Sequence, residues 1–209
     1  HLAGSAALVR AVQPTWTPPE VKSALLLTAK ISGFQENEST PWNIDDVGSG
    51  RVDLSAAPFA GFVMDETFAN FLAANPTGGS INVKDLNLPS VRNVGLTAGT
   101  PTYQWTRVLR NSTHLPTTWN VTVDQPPGVT VTVNPTSFSF TGAGVPDPDL
   151  VFGGDFENYT APPAPETQTI TITATTSAPT TGIAFGQVNF TEDTADAPPA
   201  HITVAVRRQ

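Results

Sequence analysis

Hydrophobic residues follow one period in the first part of the chain and another after residue 80. Between Val21 and Thr28 they recur at helical spacing, and the preceding Thr17-Pro18-Pro19-Glu20 offers a capping box and prolines that a first helical turn tolerates. The residues from His1 to Val9 are small and nearly all apolar. This pattern predicts two helices over residues 1–30 joined by a turn, with the first one buried.

Shorter signals follow before residue 75. Leu54 to Phe59 predicts a short helix, and residues 61–65 predict a short strand or an extended link. A third helix is predicted from Thr67 to Ala74, because its apolar residues are spaced by three and four: Phe68, Phe71 and Leu72.

Residues 76–80 read Pro-Thr-Gly-Gly-Ser and give the clearest linker signal in the chain. Beyond them, β-branched residues alternate with polar ones in short runs bounded by Pro and Gly. This alternation predicts strands at residues 81–88, 91–96, 103–110, 119–123, 129–133, 138–140, 168–175, 183–190 and 202–206. One apolar face per strand favours a sandwich of two antiparallel sheets.

The chain is therefore predicted to be mainly β. Residues 1–75 form a helical part, residues 76–80 a linker, and residues 81–209 a β-sandwich. Because the alternation and the turn chemistry are internal to residues 81–207, we expect that stretch to fold as a stable unit.

Composition removes several classes of function. The 209 residues carry a net charge of −8, so no basic patch is available to neutralise nucleic-acid phosphates. No apolar run reaches the roughly 18–20 residues that span a membrane. Without cysteine the chain has neither disulfides nor a cysteine zinc site. Few lysines and many Thr, Asn and Pro residues favour a secreted protein.

Side chains that could perform chemistry are isolated. No Gly-x-Ser-x-Gly, His-Glu-x-x-His or phosphate-loop motif occurs. His114 and His201 are predicted as loop or sheet-edge residues, and Ser5 as a packing residue of the first helix. Asp45 and Asp46 are possible metal ligands, but a solvated turn is favoured because no third ligand follows at calcium-loop spacing. We predict no catalytic residue, metal site or cofactor in this chain.

The helical part resembles a segment of the subtilisin-like serine proteases (subtilases). The residues that carry the resemblance are His1 to Gly4, Ala6-Ala7-Leu8, Pro14, Trp16, Pro18 and Val21-Lys22-Ser23-Ala24-Leu25. They look like the nucleophile helix of that family and the helix after it. In the family a Gly-Thr-Ser-x-x-x-Pro-His run enters the helix, its serine is the nucleophile, and His1 matches its closing histidine. The resemblance implies a nucleophile five residues before His1, and hence a carboxy-terminal part of a protease that contains no catalytic residue.

Further matches run in the same order to Val206. Gly48-x-Gly50-x-Val52, Gly61-Phe62-Val63-Met64-Asp65 and Asn70-Phe71-Leu72 look like the exit from the catalytic domain of a subtilase. The fibronectin type III-like domain of the family is matched by Pro127-Gly128-Val129-x-Val131-x-Val133-x-Pro135, Phe138-x-Phe140 and Phe185-Gly186-x-Val188-x-Phe190-Thr191. The implied fold is a fibronectin type III-like antiparallel β-sandwich preceded by the helical C-terminal remnant of a subtilisin-like α/β catalytic domain.

Residues 142–166 depart from this pattern, because they form a Pro-, Gly- and Asp-rich insertion. A loop of that length is usually functional or mobile. Its aromatic residues, Phe152, Phe156 and Tyr159, are candidates for anchoring the insertion to the sandwich or for contacting a partner, and the anchor is favoured.

Three functions stay open. The first is the structural, non-catalytic part of a secreted subtilisin-like endopeptidase, which reaches protein or peptide substrates through its catalytic domain. The second is a stand-alone extracellular binding module for protein or carbohydrate. Trp105 and Trp119 are candidate contact residues for it, although burial in the core is favoured for both. The third is an inert extracellular spacer.

The helices also imply a contact. Leaving their large apolar side chains in water forfeits on the order of 10 kcal/mol; these are Leu2, Leu8, Val9, Val21, Leu25, Leu26 and Leu27. We therefore expect residues 1–30 to contact another polypeptide. The expectation is wrong if Leu8, Leu25 and Leu27 are all covered by residues 81–207 of the same chain.

Overall fold

A computed structural model describes residues 1–75, 77–93, 102–145, 164–176 and 182–207. In these ranges the helices are α1 (Leu2–Val12), α2 (Pro18–Leu27), α3 (Ile44–Val47) and α4 (Phe68–Ala73), with 3₁₀ turns at Ala57–Phe59 and Val83–Asp85. The strands are β1 (Phe62–Val63), β2 (Ser90–Arg92), β3 (Thr102–Asn111), β4 (Thr117–Asp124), β5 (Val129–Asn134), β6 (Ser137–Phe140), β7 (Thr167–Thr176), β8 (Ile183–Glu192) and β9 (Ala200–Arg207).

The strands form two sheets, of order β1-β3-β7-β5 and β2-β9-β8-β4-β6. Neighbouring strands are antiparallel except for β2, which pairs with β9 in parallel. The mainly β sandwich predicted from the alternating pattern is confirmed, with this one parallel pair added.

The core between the sheets is centred on aromatic side chains. Trp105 of β3 and Trp119 of β4 are 1% and 0% exposed. The ring of Phe62 meets the rings of Trp119 and Phe190 edge-on, with centroid distances of 4.9 and 5.2 Å. Such edge-to-face pairs add to the free energy gained from burial alone.

Residues from before the linker complete this core. Leu27, Phe62 and Met64 are buried in the same cluster as the sandwich residues, and β1 pairs with the end of β3. A second cluster joins α1 and α2 to the segment around Ala60 and Val63. The division at residues 76–80 and the independent folding of the sandwich stay predictions, and these contacts run across that division.

Two predicted apolar surfaces are exposed. In α1 only Val9 is buried, so the expectation of a buried first helix is wrong for the described residues. The helix packs on one side only, against α2 and the Ala57–Phe59 turn. Ser5 is half-buried, and its hydroxyl donates to the carbonyl of His1 within the same helix. Helix α4 forms where predicted, but its large apolar side chains, those of Phe68, Phe71 and Leu72, are also exposed.

The strand predicted at residues 81–88 is absent. The side chain of Asn82 accepts a hydrogen bond from the Lys84 amide and starts a 3₁₀ turn there instead. The next predicted strand is observed at Ser90–Arg92. Its continuation at residues 94–96 and the insertion aromatics Phe152, Phe156 and Tyr159 lie outside the described residues.

Candidate functional site

The candidate site is an apolar groove between α1 and α2, here called the hairpin groove. Its volume is about 640 Å³, and it is lined by Leu2, Ala3, Ala6, Ala7, Arg10, Pro18, Val21, Lys22, Leu25 and Leu26. The α1 side of the groove carries alanines. Because their side chains are short, another element could approach the backbone of α1 closely. The only charged groups in the lining are two cations, Arg10 and Lys22. The groove therefore suits an apolar surface much better than a polar ligand.

Local sequence fixes the start of α2. The Thr17 hydroxyl accepts a hydrogen bond from the Glu20 amide at 3.3 Å, and the Glu20 carboxylate accepts one from the Thr17 amide at 2.8 Å. This is the capping box predicted from the sequence, with Pro18 and Pro19 in the first turn. In contrast, no side chain caps α1, which begins after the exposed His1.

The same end of α2 is fastened to the sandwich. The second carboxylate oxygen of Glu20 accepts a hydrogen bond from Nε of Arg110, at 2.5 Å, and Glu20 is 4% exposed. The Ser23 hydroxyl donates to the carbonyl of Glu20 and accepts from the amide of Met64, both at 2.8 Å. One buried carboxylate thus caps the helix and ties it to β3.

A buried cation closes the sandwich on the side of β2. The guanidinium of Arg107 donates to the carbonyls of Leu88, Ser90 and Lys84 at 2.8, 2.9 and 3.2 Å. Burial lowers the pKa of Arg107 to about 10, opposed by the nearby carboxylates of Asp85 and Glu66. Arg107 stays a cation at neutral pH, so the role that this geometry supports is structural.

The sequence predicted His201 as a loop or sheet-edge residue; the structure buries it in strand β9, where it pairs with Asn189 of β8. Its side chain is 7% exposed, and its Nε2 lies 3.0 Å from the carbonyl oxygen of Ser49. The turn that carries Ser49 has Gly48 and Gly50 at φ of 59° and 116°, which side chains rarely adopt. Burial lowers the pKa of His201, so the imidazole is neutral near pH 7 and links this turn to the sandwich.

The other candidate residues do not converge on a site. The carboxylate of Asp46 closes a capping box with Asn43 at the start of α3, and Gln35 donates to it at 2.9 Å. Across the described ranges, no group of three or more potential ligands could hold a metal ion. Trp105 and Trp119 are core residues, so neither offers a surface for sugar or protein. No helix in the described part of the chain is long and apolar enough to cross a bilayer.

Sequence reasoning missed the structural roles of two buried charged residues. It assigned Glu20 to capping alone, because its partner Arg110 lies 90 residues away. It also gave Arg107 no role, because an arginine in an alternating strand usually faces solvent. The inward register of Trp105 and Leu109 was the available signal, since residue 107 must point the same way as both.

Comparisons with known proteins match both parts of the chain. A family model for the fibronectin type-III domain matches residues 85–146. The subtilisin-like protease SBT5.3 of Arabidopsis thaliana is 31% identical over 171 residues, which cover 69% of this chain and 21% of that protein. SBT2.3 of the same plant is 32% identical over 176 residues, which cover 66% and 20%. The chain thus spans about a fifth of the length of these curated relatives.

A solved structure is also similar to part of the chain. It is the ASH/PapD-like domain 7 of human CEP192. The match covers 58% of this chain and 81% of the CEP192 chain, with 11% identity and a TM-score of 0.38.

Proposed function

Because the chain belongs to the subtilisin-like serine proteases and carries a fibronectin type III domain, we propose that it is the structural, non-catalytic part of a secreted endopeptidase. In this proposal the Asp-His-Ser triad and the oxyanion donor of the enzyme lie outside these 209 residues, and the resemblance puts the nucleophile five residues before His1. Cleavage of protein or peptide substrates then belongs to the whole enzyme, and this chain supports the domain that performs it.

The hairpin groove carries the proposal. Leu2 is 63% exposed, and the neighbouring alanines leave space for a flat apolar surface. A groove of this size and polarity is covered in a stable soluble protein, since exposed apolar patches mark interaction sites. The occupant that we propose is the remainder of the catalytic domain, because α1 and α2 resemble two helices of that domain in sequence.

The fastening of α2 supports the same role. Leu27 is fully buried in the sandwich core, and Glu20 and Ser23 bond to Arg110 and Met64. The sandwich therefore holds one side of the hairpin while the groove on the other side stays open. In the proposed enzyme, the fibronectin type III domain fixes the position of α2, and α2 fixes α1 behind the nucleophile.

A stand-alone binding module is the second candidate. An exposed aromatic row on the sandwich would support it, and the burial of Trp105 and Trp119 removes the residues named for such a row. An inert spacer needs no open groove between two helices. Neither alternative has a described feature that favours it over the protease support.

The test compares this chain with the full-length product of the same gene. We expect a fluorophosphonate serine probe to label the full-length protein and to leave the 209-residue chain unlabelled. Leu26→Asp places a charge in the groove and should abolish labelling of the full-length protein. Leu115→Asp is the matched control, since Leu115 is 46% exposed, lies between β3 and β4 and does not line the groove.

Two results contradict the proposal. Labelling of the isolated chain shows that it contains a nucleophile of its own. Full labelling of a folded Leu26→Asp protein shows that the groove does not support the active site.

A further inference from the structure

Side chains occupy the backbone groups along two edges of the four-stranded sheet. At β3, the Asn87 amide donates to the carbonyl of Val108 at 2.9 Å and accepts from its N–H at 2.8 Å. At β5, the Gln125 amide does the same for Val131, at 2.9 and 2.7 Å. Each amide takes the place of a neighbouring strand, which protects the edge against pairing with another chain.

The β2 edge of the five-stranded sheet is protected in a related way. The guanidinium of Arg107 occupies the carbonyls of Leu88 and Ser90. A buried cation on these carbonyls leaves them unavailable to an incoming strand.

Strand β6, at the opposite edge, is different. The Val121 amide donates to the carbonyl of Thr136 at 2.9 Å, and the register continues as Trp119↔Phe138 and Thr117↔Phe140. In an antiparallel ladder these alternate residues exchange the hydrogen bonds. The backbone groups of Ser137 and Ser139 therefore point away from β4.

Both serines are exposed. In the portion of the chain that the structure describes, no side chain and no strand bonds to the backbone N–H or C=O of Ser137 or Ser139. The contrast with Val108 and Val131 singles out β6 as an edge that is ready to pair.

We propose that β6 binds an extended polypeptide segment, which adds to the five-stranded sheet as an antiparallel strand. Alternating N–H and C=O groups are matched by the backbone of another extended chain, whereas side-chain pockets set its sequence preference. The inward neighbours on this edge are Phe138 and Phe140, and the outward ones are Ser137 and Ser139. A segment with alternating apolar and polar residues fits both faces.

The preferred charge at the N-terminal end of the segment follows from Glu166. The Glu166 carboxylate accepts hydrogen bonds from the Thr141 amide and hydroxyl, both at 2.7 Å, and from the Gly142 amide at 3.1 Å. These bonds, that of the Thr141 hydroxyl first, hold the pKa of Glu166 below its usual range. An anion is thus fixed beyond the end of β6, where the N-terminal end of an antiparallel segment lies. The favoured ligand therefore has a basic N-terminal end.

The probe is the synthetic peptide Lys-Thr-Val-Thr-Val-Thr-Val with a free N-terminus, added to the ¹⁵N-labelled 209-residue chain. We expect saturable shifts of the Ser137 and Ser139 amide signals. A copy of the peptide N-methylated at alternate residues, on the edge that faces β6, should cause none.

Two variants make the test specific. Ser139→Pro removes an outward N–H, at a position that proline tolerates on an edge strand, together with the hydroxyl that lies 3.0 Å from the Thr118 hydroxyl, and should weaken binding about tenfold or more. Ser139→Ala keeps the backbone and should bind like the original chain. Unchanged signals of β8 and β9 in the proline variant show that it is folded.

Three outcomes overturn the proposal. One is hydrogen exchange at the Ser139 amide, before peptide is added, as slow as at Phe138, which shows an edge that is already occupied. Another is a folded Ser139→Pro variant that binds the peptide unchanged. The third is a set of shifts at Val108 or Val131 with none at Ser137 and Ser139, which places binding at a different edge.

Discussion

The helical hairpin and the β-sandwich are both rich in apolar residues, but the sandwich core is buried within the chain, whereas α1 of the hairpin buries only Val9. Trp105, Trp119 and Phe190 are 1%, 0% and 0% exposed, whereas Leu2 and Leu8 of α1 are 63% and 58% exposed. A strand with one apolar face needs one partner sheet, and the chain supplies it. A helix that is apolar on most sides needs packing partners on most sides. The described residues cover α1 on one side only.

The difference separates two neighbouring helices. Leu27 of α2 is buried in the sandwich core, and Leu25 is buried in the cluster that joins the helices to Ala60 and Val63. Leu8 of α1 is covered by neither, so the condition that would have excluded a partner is not met. Contact of residues 1–30 with another polypeptide stays a prediction, and α1 is the part of the hairpin that needs it.

The substitution with the largest expected effect tests whether Phe62, which precedes the linker, contributes to the stability of the sandwich. Phe62→Ala empties the centre of the aromatic cluster and should destabilise the chain by about 3–5 kcal/mol. Leu8→Ala, at an exposed site of α1, should change stability by less than about 0.5 kcal/mol. Urea unfolding of both variants gives the comparison, and equal losses would contradict it.

Arg107 tests how the sandwich is closed on the side of β2. Arg107→Met removes a buried donor from several part-buried carbonyls and should cost about 3 kcal/mol. Arg92→Met, at an exposed arginine on β2, is the control and should be nearly neutral. A neutral Arg107→Met variant would show that water serves those carbonyls equally well.

Glu20 tests the link between the two regions. A glutamine there has one oxygen for two donors, the Arg110 guanidinium and the Thr17 amide, so Glu20→Gln should cost about 1.5 kcal/mol. The exposed Glu36→Gln serves as the control. We expect the loss to appear first as faster hydrogen exchange in α2, and uniform acceleration in the sandwich would argue against a local link.

The smallest effect is a pH dependence carried by His201. Burial lowers its pKa from the ordinary 6.5, so the folded chain binds fewer protons than the unfolded chain. The stabilisation is therefore present above pH 6.5 and is lost as the pH falls below it. His201→Gln should flatten the stability curve between pH 5 and 7.5, whereas His1→Gln should not.

Asp53 does not affect the pH dependence that is assigned to His201. Hydrogen bonds from Lys30 and Ser55 lower its pKa from 3.8 to about 2, so its contribution is lost only below pH 4. An unchanged slope in His201→Gln between pH 5 and 7.5 would mean that another group titrates there.

The local sequence pattern predicted the elements that depend on nearby residues alone. Strands β3 to β9 appear at the runs predicted from alternating apolar and polar residues, and α2 begins at its capping box. The same rule misread residues 81–88, because Asn82 starts a turn that periodicity does not show. The burial of His201 was not predicted because its partner, the carbonyl of Ser49, lies 152 residues away in the sequence. Burial of α1 depends on a surface that the described residues lack.

Hydrogen exchange of α1 tests the central claim most directly. Its amides are compared between the 209-residue chain and the full-length product of the gene, with β7 and β8 as internal references. We predict that the amides of α1 exchange fast in the isolated chain and at least about tenfold more slowly in the full-length protein, while the exchange rates of β7 and β8 stay unchanged. Equal exchange of α1 in both proteins would show that the hairpin groove is not covered by the proposed remainder of a catalytic domain.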